Sequence, residues 1–385
     1  MGFRGLRTWA RARRRECGMP VKMLPFGMSA IFKPLRLRDL TIPNRVWVSP
    51  MCQYSATDGI PNDWHLVHLG QFVLGGAGFI MTEATAVTPE GRISPQDTGI
   101  WNDEQAAAWR RIVDFIHSQD RPVGIQLAHA GRKASTAQPW LGNFNVPPEE
   151  GGWQPVGPTA EPFGDLAAPR PLSAAELREI TRAFAAAAER ALDSGFDVVE
   201  LHFAHGYLAH QLYSPLVNTR TDEYGGDFEN RVRWHLETVD AVRAVWPDDK
   251  PLFVRISAID WVDEGGWNIE DSVRLAKLLA EHGVDLIDVS SGGAVPYARI
   301  QRRPNYQVPF AQEIRAQTGV PVSAVGMITE PEQAEEIVAS GSADAVMLAR
   351  ALMRDPRWPE RAAQALGARL DRPVKDRQYH LAYPA

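Results

Sequence analysis

From Arg45 onward the chain alternates short apolar runs with longer stretches that are apolar on one face. The runs are RVWVSPM (Arg45–Met51), FIMTEATAV (Phe79–Val87), VGIQLAH (Val123–His129), DVVELHFA (Asp197–Ala204), PLFVRIS (Pro251–Ser257), DLIDVSSG (Asp285–Gly292), PVSAVG (Pro321–Gly326) and AVMLAR (Ala345–Arg350). Each is rich in Val, Ile and Leu and apolar at consecutive positions, as expected of a strand covered on both faces of a parallel sheet. Helical signals lie between them. Ser173 and Glu176 form a capping box at the head of an alanine-rich helix that stops near Gly195. Thr329 and Glu332 repeat the device with Pro331 early in the helix, and Asn230–Trp246 is amphipathic and ends at Pro247. Eight strands, each followed by a helix, predict an α/β fold of one domain, the (β/α)8 TIM barrel. A doubly wound sheet is the competitor, but no GxGxxG follows the first strand to anchor a dinucleotide-type Rossmann domain.

Three segments depart from this rhythm. The third strand-to-helix connection, about Ala130–Pro171, is long and rich in Pro, Gly and Trp. Such a loop in a compact domain is usually functional, and in a barrel it sits at the C-terminal rim of the strands. Residues 1–28 carry Arg4, Arg7, Arg11, Arg13, Arg14, Arg15 and Lys22 against a single acid, Glu16. That pattern resembles a targeting peptide without a long apolar region, and the plainer expectation is a disordered tail, or a start codon placed too early with Met28 the true start. Residues 371–385 form a C-terminal tail, which leaves 29–370 for the barrel.

Composition narrows the function classes. The chain has 385 residues, 44% of them hydrophobic, enough to bury a core without disulfides or structural metal. A net charge of −6 argues against nucleic-acid binding. No uncharged apolar run reaches membrane-spanning length, so no membrane association is expected. The two cysteines, Cys17 and Cys52, lack zinc or iron–sulfur spacing, and their scarcity fits a reducing cytoplasm.

Polar residues gather where the strands end: Ser49 to Tyr54 after the first, Gln126, His129 and Lys133 at the third, His202, His205 and Tyr207 at the fourth, Arg255 at the fifth, Gly326 and Arg350 at the seventh and eighth. In a barrel all point at one mouth. Two neutral imidazoles three residues apart suit two hydrogen bonds to one carbonyl oxygen, and a phenol two residues on suits proton delivery. Structural histidines with a packed tyrosine are an equally open reading, while a metal site lacks a third ligand. Arg255 on an apolar strand needs an anionic partner, either an ordinary salt bridge or a cofactor that becomes negative on reduction. Gly326 and Arg350 sit where barrels commonly place a phosphate.

Taken together and in order, SPMCQY, QLAHAGRKA, HFAHGYL with the Leu212–Arg220 stretch, YGGDFENR and VGMIT resemble the Old Yellow Enzyme family of FMN-dependent ene-reductases, in its thermophilic-like branch close to bacterial xenobiotic reductases. The resemblance spans about Ile31 to Leu366. It implies FMN as cofactor and NADPH or NADH as hydride donor, with reduction of a small enone or related electron-poor molecule. It implies that Pro50, Met51, Cys52, Ala84 and Gln126 line the flavin ring, and that Arg255 lies near its N1 and O2. Gly326, Met327, Ala349 and Arg350 match the phosphate end, with Ser291 nearby. His202 and His205 match the pair that grips the substrate's oxygen, Tyr207 the proton donor, and Tyr54, Ile93 and Lys133 pocket positions. Ala349 stands where many members have glycine. In this branch a partner's C-terminus can enter the neighbouring site, which makes Arg377, Tyr379 and Tyr383 candidates and a homodimer or homotetramer the expected assembly. Three other readings compete. A dienoyl-CoA reductase needs an iron–sulfur cluster that two cysteines cannot hold. A dihydropyrimidine-type flavoenzyme acting on tRNA calls for a basic surface. A non-enzymatic flavin-binding protein leaves the positioned His202, His205 and Tyr207 without a use.

Overall fold

All eight apolar runs become strands: Val46–Val48 (β1), Phe79–Ala86 (β2), Val123–Ala128 (β3), Val198–Phe203 (β4), Leu252–Ser257 (β5), Leu286–Ser290 (β6), Val322–Ala324 (β7) and Ala345–Leu348 (β8). Each pairs in parallel with the next, and β8 pairs with β1 to close the barrel. This computed structural model describes residues 29–142 and 144–370; the expectations for the basic leader and the C-terminal tail, with Arg377, Tyr379 and Tyr383, lie outside the described residues.

The helices are Asp63–Leu74 (α1), Asp103–Ser118 (α2), Ala174–Asp193 (α3), Leu208–Tyr213 (α4), Phe228–Arg243 (α5), Ile269–Glu281 (α6), Val308–Thr318 (α7), Pro331–Ala339 (α8), Arg350–Arg354 (α9) and Trp358–Ala365 (α10). At α3 the capping box forms as the spacing predicts: the Ser173 hydroxyl accepts from Glu176 N–H, and the Glu176 carboxylate accepts from Ser173 N–H at 2.8 Å. At α8 it is displaced by one residue. Gln333, not Glu332, closes it, with its Oε1 accepting from the N–H groups of Thr329 and Glu330, and Pro331 takes the first helical position where no N–H is needed. The α5 helix starts two residues before Asn230, because Asp227 caps it by accepting from Asn230 N–H at 2.9 Å, and it ends at Arg243 rather than Trp246.

Large side chains fill the barrel's N-terminal half. Trp47 stacks on Phe253 with ring centroids 6.0 Å apart and meets Phe79 edge-on at 5.4 Å. A short hairpin, Leu35–Leu37 with Leu40–Ile42, closes that end and adds Leu37 and Ile42 to the same cluster. With the floor packed, the C-terminal mouth is the end of the barrel left for ligands among the described residues. The Ala130–Pro171 connection folds over that mouth with a small parallel pair, Val156–Gly157 and Arg170–Pro171. Arg132, almost wholly buried, staples it down by donating to the carbonyls of Glu161, Pro162 and Ala294. Among the described residues no helix is long and apolar enough to cross a membrane.

The floor cluster makes Trp47 a stability determinant remote from the mouth. Trp47→Ala is expected to lower unfolding free energy by about 3–5 kcal/mol, measured by urea denaturation; a loss under about 1 kcal/mol would contradict this packing.

Candidate active site

The fourth strand ends in a tight left-handed turn, with His205 at φ +61° and Gly206 at φ +72°. Its four backbone polar groups all meet side chains. His205 N–H donates to Ser257 Oγ at 2.9 Å, and the His205 carbonyl accepts from Lys133 Nζ at 2.8 Å. Gly206 N–H donates to His210 Nδ1, and the Gly206 carbonyl accepts from Gln211 Nε2, both at 2.8 Å. His210 in turn meets Asp260 Oδ1 at 2.7 Å, and Ser214 Oγ donates to Asp260 Oδ2 at 2.6 Å. Burial opposes ionisation of Asp260, but His210 and these hydrogen bonds hold its carboxyl below the usual range. A Cβ at Gly206 would lie 1.8 Å from the Gly293 carbonyl oxygen, so only glycine fits.

This turn brings His202, His205 and Tyr207 together. The His202 ring centroid lies 5.1 Å from that of His205 and 5.2 Å from that of Tyr207. His202 Nδ1 accepts from Ala204 N–H at 3.3 Å, which leaves Nε2 as its proton-bearing nitrogen. His205 Nε2 meets Ser290 Oγ at 2.7 Å, which leaves Nδ1 for a ligand. Burial first, then the Arg255 charge, pushes both imidazoles well below their ordinary pKa, so both are neutral at physiological pH. Burial pushes the Tyr207 phenol and the Cys52 thiol well up, so both keep their protons.

The segment after β1 forms the facing wall. The pairing of β2 with β3 shifts register between Met81 and Ala84. Glu83 meets His65 of α1 at 3.1 Å and accepts from Gln53 N–H at 2.8 Å, which fixes the segment carrying Cys52 and Tyr54. Cys52, Tyr54 and Tyr207 pack against a cluster containing Ala84 and Ile93. Pro50 is half-buried where this segment begins, and Met51 leans on the main core. A cavity of about 350 Å³ opens here, lined by Tyr54, Ile93, Lys133, Ala137, Phe163 and Tyr207. Lys133 lines it, yet its ammonium is taken: it also donates to the Gly293 carbonyl at 2.7 Å and lies 4.0 Å over the Phe163 ring. Burial and then Arg132 push it down to about 7. It braces the turn.

Below the mouth, inside the barrel, Gln126 Nε2 donates to Glu200 at 2.7 Å. Arg255 pairs with Asp288 at 2.8 Å and reaches Ser49 Oγ at 3.4 Å. The anionic partner that Arg255 needs is therefore present in the chain, and Ser323 Oγ donates to the same carboxylate. A second cavity of about 350 Å³ runs over the ends of β7 and β8, lined by Gly326, Met327, Ala349, Arg350, Arg354 and Ser290. A Cβ at Gly326, with φ +123°, would meet Gln307 Nε2 at 2.8 Å. Ala349 has φ −112°, so its backbone does not need the glycine common in the resembling family.

Two polar residues at the strand ends brace the two cavities from behind. His129 packs against Gly91 and accepts from Gly131 N–H, so it is a structural histidine beside the mouth. Ser291 does not line the second cavity; its hydroxyl accepts from Trp261 Nε1 and donates to Gln307, and Ser290 lines the cavity in its place.

Residues 30–368 match the model of the NADH:flavin oxidoreductase / NADH oxidase family. The chain belongs to that family. An NADPH dehydrogenase of Geobacillus thermodenitrificans is 45% identical over 350 residues, covering 90% of this chain and 97% of its own. One from Bacillus subtilis is 44% identical over 348 residues, with the same coverage. Among solved structures, morphinone reductase superposes with a TM-score of 0.74 at 26% identity, covering 92% of this chain and 97% of its own. An old yellow enzyme homologue from Zymomonas mobilis superposes at 0.73 with 27% identity, covering 87% and 92%.

As a member of the NADH:flavin oxidoreductase family the protein is an FMN-dependent enzyme that oxidises NAD(P)H. The mouth fits that cofactor. The second cavity carries two arginines suited to a phosphate, Gly326 leaves room that a Cβ would fill, and Arg255 places a buried cation, paired with Asp288, inside the barrel. Several of the residues that build the site carried no sequence signal. Asp260 lies fifty positions from the histidine it orients, and Glu200 and Asp288 sit inside strands that read as simply apolar. His210 and Gln211 follow Gly206 at the spacing of one helical turn, a cue that was present in HGYLAHQ.

The Gly206 approach has a measurable consequence. Gly206→Ala is expected to cost about 1–2 kcal/mol for the left-handed backbone and a further ~1–3 kcal/mol for the clash. Gly226→Ala, at φ +91° with nothing within 4 Å, serves as the control that pays only the first. Equal losses in denaturant titrations of the two variants would show that the Gly293 contact is not tight.

Proposed function

We propose that this flavoenzyme reduces the carbon–carbon double bond of α,β-unsaturated carbonyl compounds. The observation that carries the reading is a cluster of neutral groups: the His202 ring lies with its centroid about 5 Å from those of both His205 and Tyr207, and the Tyr207 phenol lines a partly apolar cavity. Bound FMN supplies the redox chemistry, accepting a hydride from NADPH or NADH and returning it to the substrate's β-carbon. His202 and His205 hold the carbonyl oxygen with N–H donors. Because both rings are neutral and fixed before the substrate arrives, their bonds strengthen as negative charge builds on that oxygen, and no reorganisation is needed. Tyr207, which lines the cavity, delivers a proton to the α-carbon. Its high pKa keeps the proton on the phenol until the enolate, a strong base, is formed. Tyr54, Ile93 and Phe163 supply the apolar walls that orient the substrate and exclude water.

The relatives support this reading through their names, morphinone reductase and old yellow enzyme homologue among them. A homodimer or homotetramer, with the C-terminal tail completing a neighbour's cavity, belongs to the same proposal, as does a cytoplasmic location.

Stopped-flow kinetics separate the residue roles. Tyr207→Phe is expected to slow reoxidation of the reduced protein by cyclohexenone by about 10²–10⁴-fold, and to leave its reduction by NADPH nearly unchanged. Reoxidation at the wild-type rate would remove Tyr207 as the proton donor.

A further inference from the structure

Glu200 is a buried carboxyl group that the reaction above does not use. It lies on β4 two residues before His202, on the same inward face, with no exposed surface. Its Oε1 accepts from Gln126 Nε2 at 2.7 Å, while Oε2 has no hydrogen-bond partner among the described residues. A lone buried carboxylate oxygen is costly, and a proton on the carboxyl removes the charge. The other charged groups facing it are Arg255 from β5 and Asp288 from β6. These two neutralise each other at 2.8 Å, so Arg255 offers Glu200 little compensation. Its nearest direct contact, Gln126 on β3, is uncharged, and His202 on its own strand is neutral.

We propose that Glu200 is a redox-linked proton site: in mildly alkaline solution, where the oxidised protein carries it ionised, Glu200 takes up a proton from solvent when the FMN that Gln126 and Arg255 line is reduced and becomes negative. Two electrons and one proton enter the cofactor as the hydride. The second proton forms the O–H bond of the Glu200 carboxyl and balances the charge that reduction adds. Burial first, then Asp288, pushes this carboxyl up to about 8, against the pull of Arg255 and Gln126, so its ionisation falls within a measurable pH range. A nearby unit negative charge in such a medium raises proton affinity by a factor of about 10 to 100, which opens a window in which the oxidised protein carries Glu200 ionised and the reduced protein carries it neutral. Glu200 also orients its neighbour: the carboxyl engages the Gln126 NH2 group and so fixes which way the amide faces. It is a positioning residue that acts on the cofactor through Gln126.

The inference rests on the cofactor and not on the proposed enone chemistry, so the test uses dithionite in place of nicotinamide and substrate. The midpoint potential of the FMN-loaded protein is measured from about pH 7 to about pH 10 and converted into protons taken up per two electrons. The wild type is expected to rise from one proton toward two above about pH 8, and E200Q, which keeps the shape and removes the proton site, to stay at one. A wild-type value of one throughout, or the same rise in E200Q, overturns the proposal. Should E200Q fail to retain FMN, the wild type decides alone: its infrared difference spectrum must gain a protonated-carboxyl band on reduction within that window, and absence of the band overturns the assignment. A protein that binds no FMN would instead overturn the cofactor assignment, and is recognised by its lack of colour.

Discussion

The site depends on one strained piece of backbone, the left-handed turn at His205 and Gly206. A turn of this kind costs about 1–2 kcal/mol at a non-glycine residue and persists only when its surroundings over-determine it. Here they do so through hydrogen bonds. Its four polar groups are bound by Ser257, Lys133, His210 and Gln211, which come from β5, the long insertion and α4. Gly293 presses on it from the loop after β6. Strand, insertion and helix thus all converge on two residues, and those residues aim His202, His205 and Tyr207. The insertion serves as a cavity wall and also, through Lys133, as a brace for the turn.

Burial then sets the chemistry. The imidazoles cannot hold a charge, and the phenol and thiol cannot lose one. A mouth of neutral donors above a balanced Arg255–Asp288 pair is receptive to negative charge that appears during a reaction, since its donors are fixed before that charge arrives. The same desolvation that fixes the donors disfavours a charge on Glu200, which is why a proton there is sensitive to the cofactor's own charge.

Much of this was legible in the chain. The eight strands fall within the runs named from hydrophobicity, because a strand buried on both faces must be continuously apolar. The mouth residues were legible because strand ends interrupt those runs with polar side chains. Helix starts were less so: at α8 Gln333 captured the box that Thr329 and Glu332 seemed to form, since the residue with the reaching side chain decides where the cap closes. The bracing network was nearly invisible. Asp260 and His210, or Arg132 and the Ala294 carbonyl, are partners only because the barrel closes, and local spacing carries no trace of such contacts. Lys133 shows the limit from the other side. It was placed in the pocket, and it lines the pocket, but its charge is spent on two carbonyls that no local pattern links to it.

The central claim is that this mouth passes a hydride from a reduced nicotinamide to an enone. Its most direct test is an anaerobic titration of the purified protein with NADPH, followed in the flavin absorbance, with cyclohexenone added at the end. The account predicts that NADPH bleaches the yellow protein and that the enone restores the colour with saturated ketone as the product. Flavin that is bleached by NADPH and stays bleached under excess enone would contradict it.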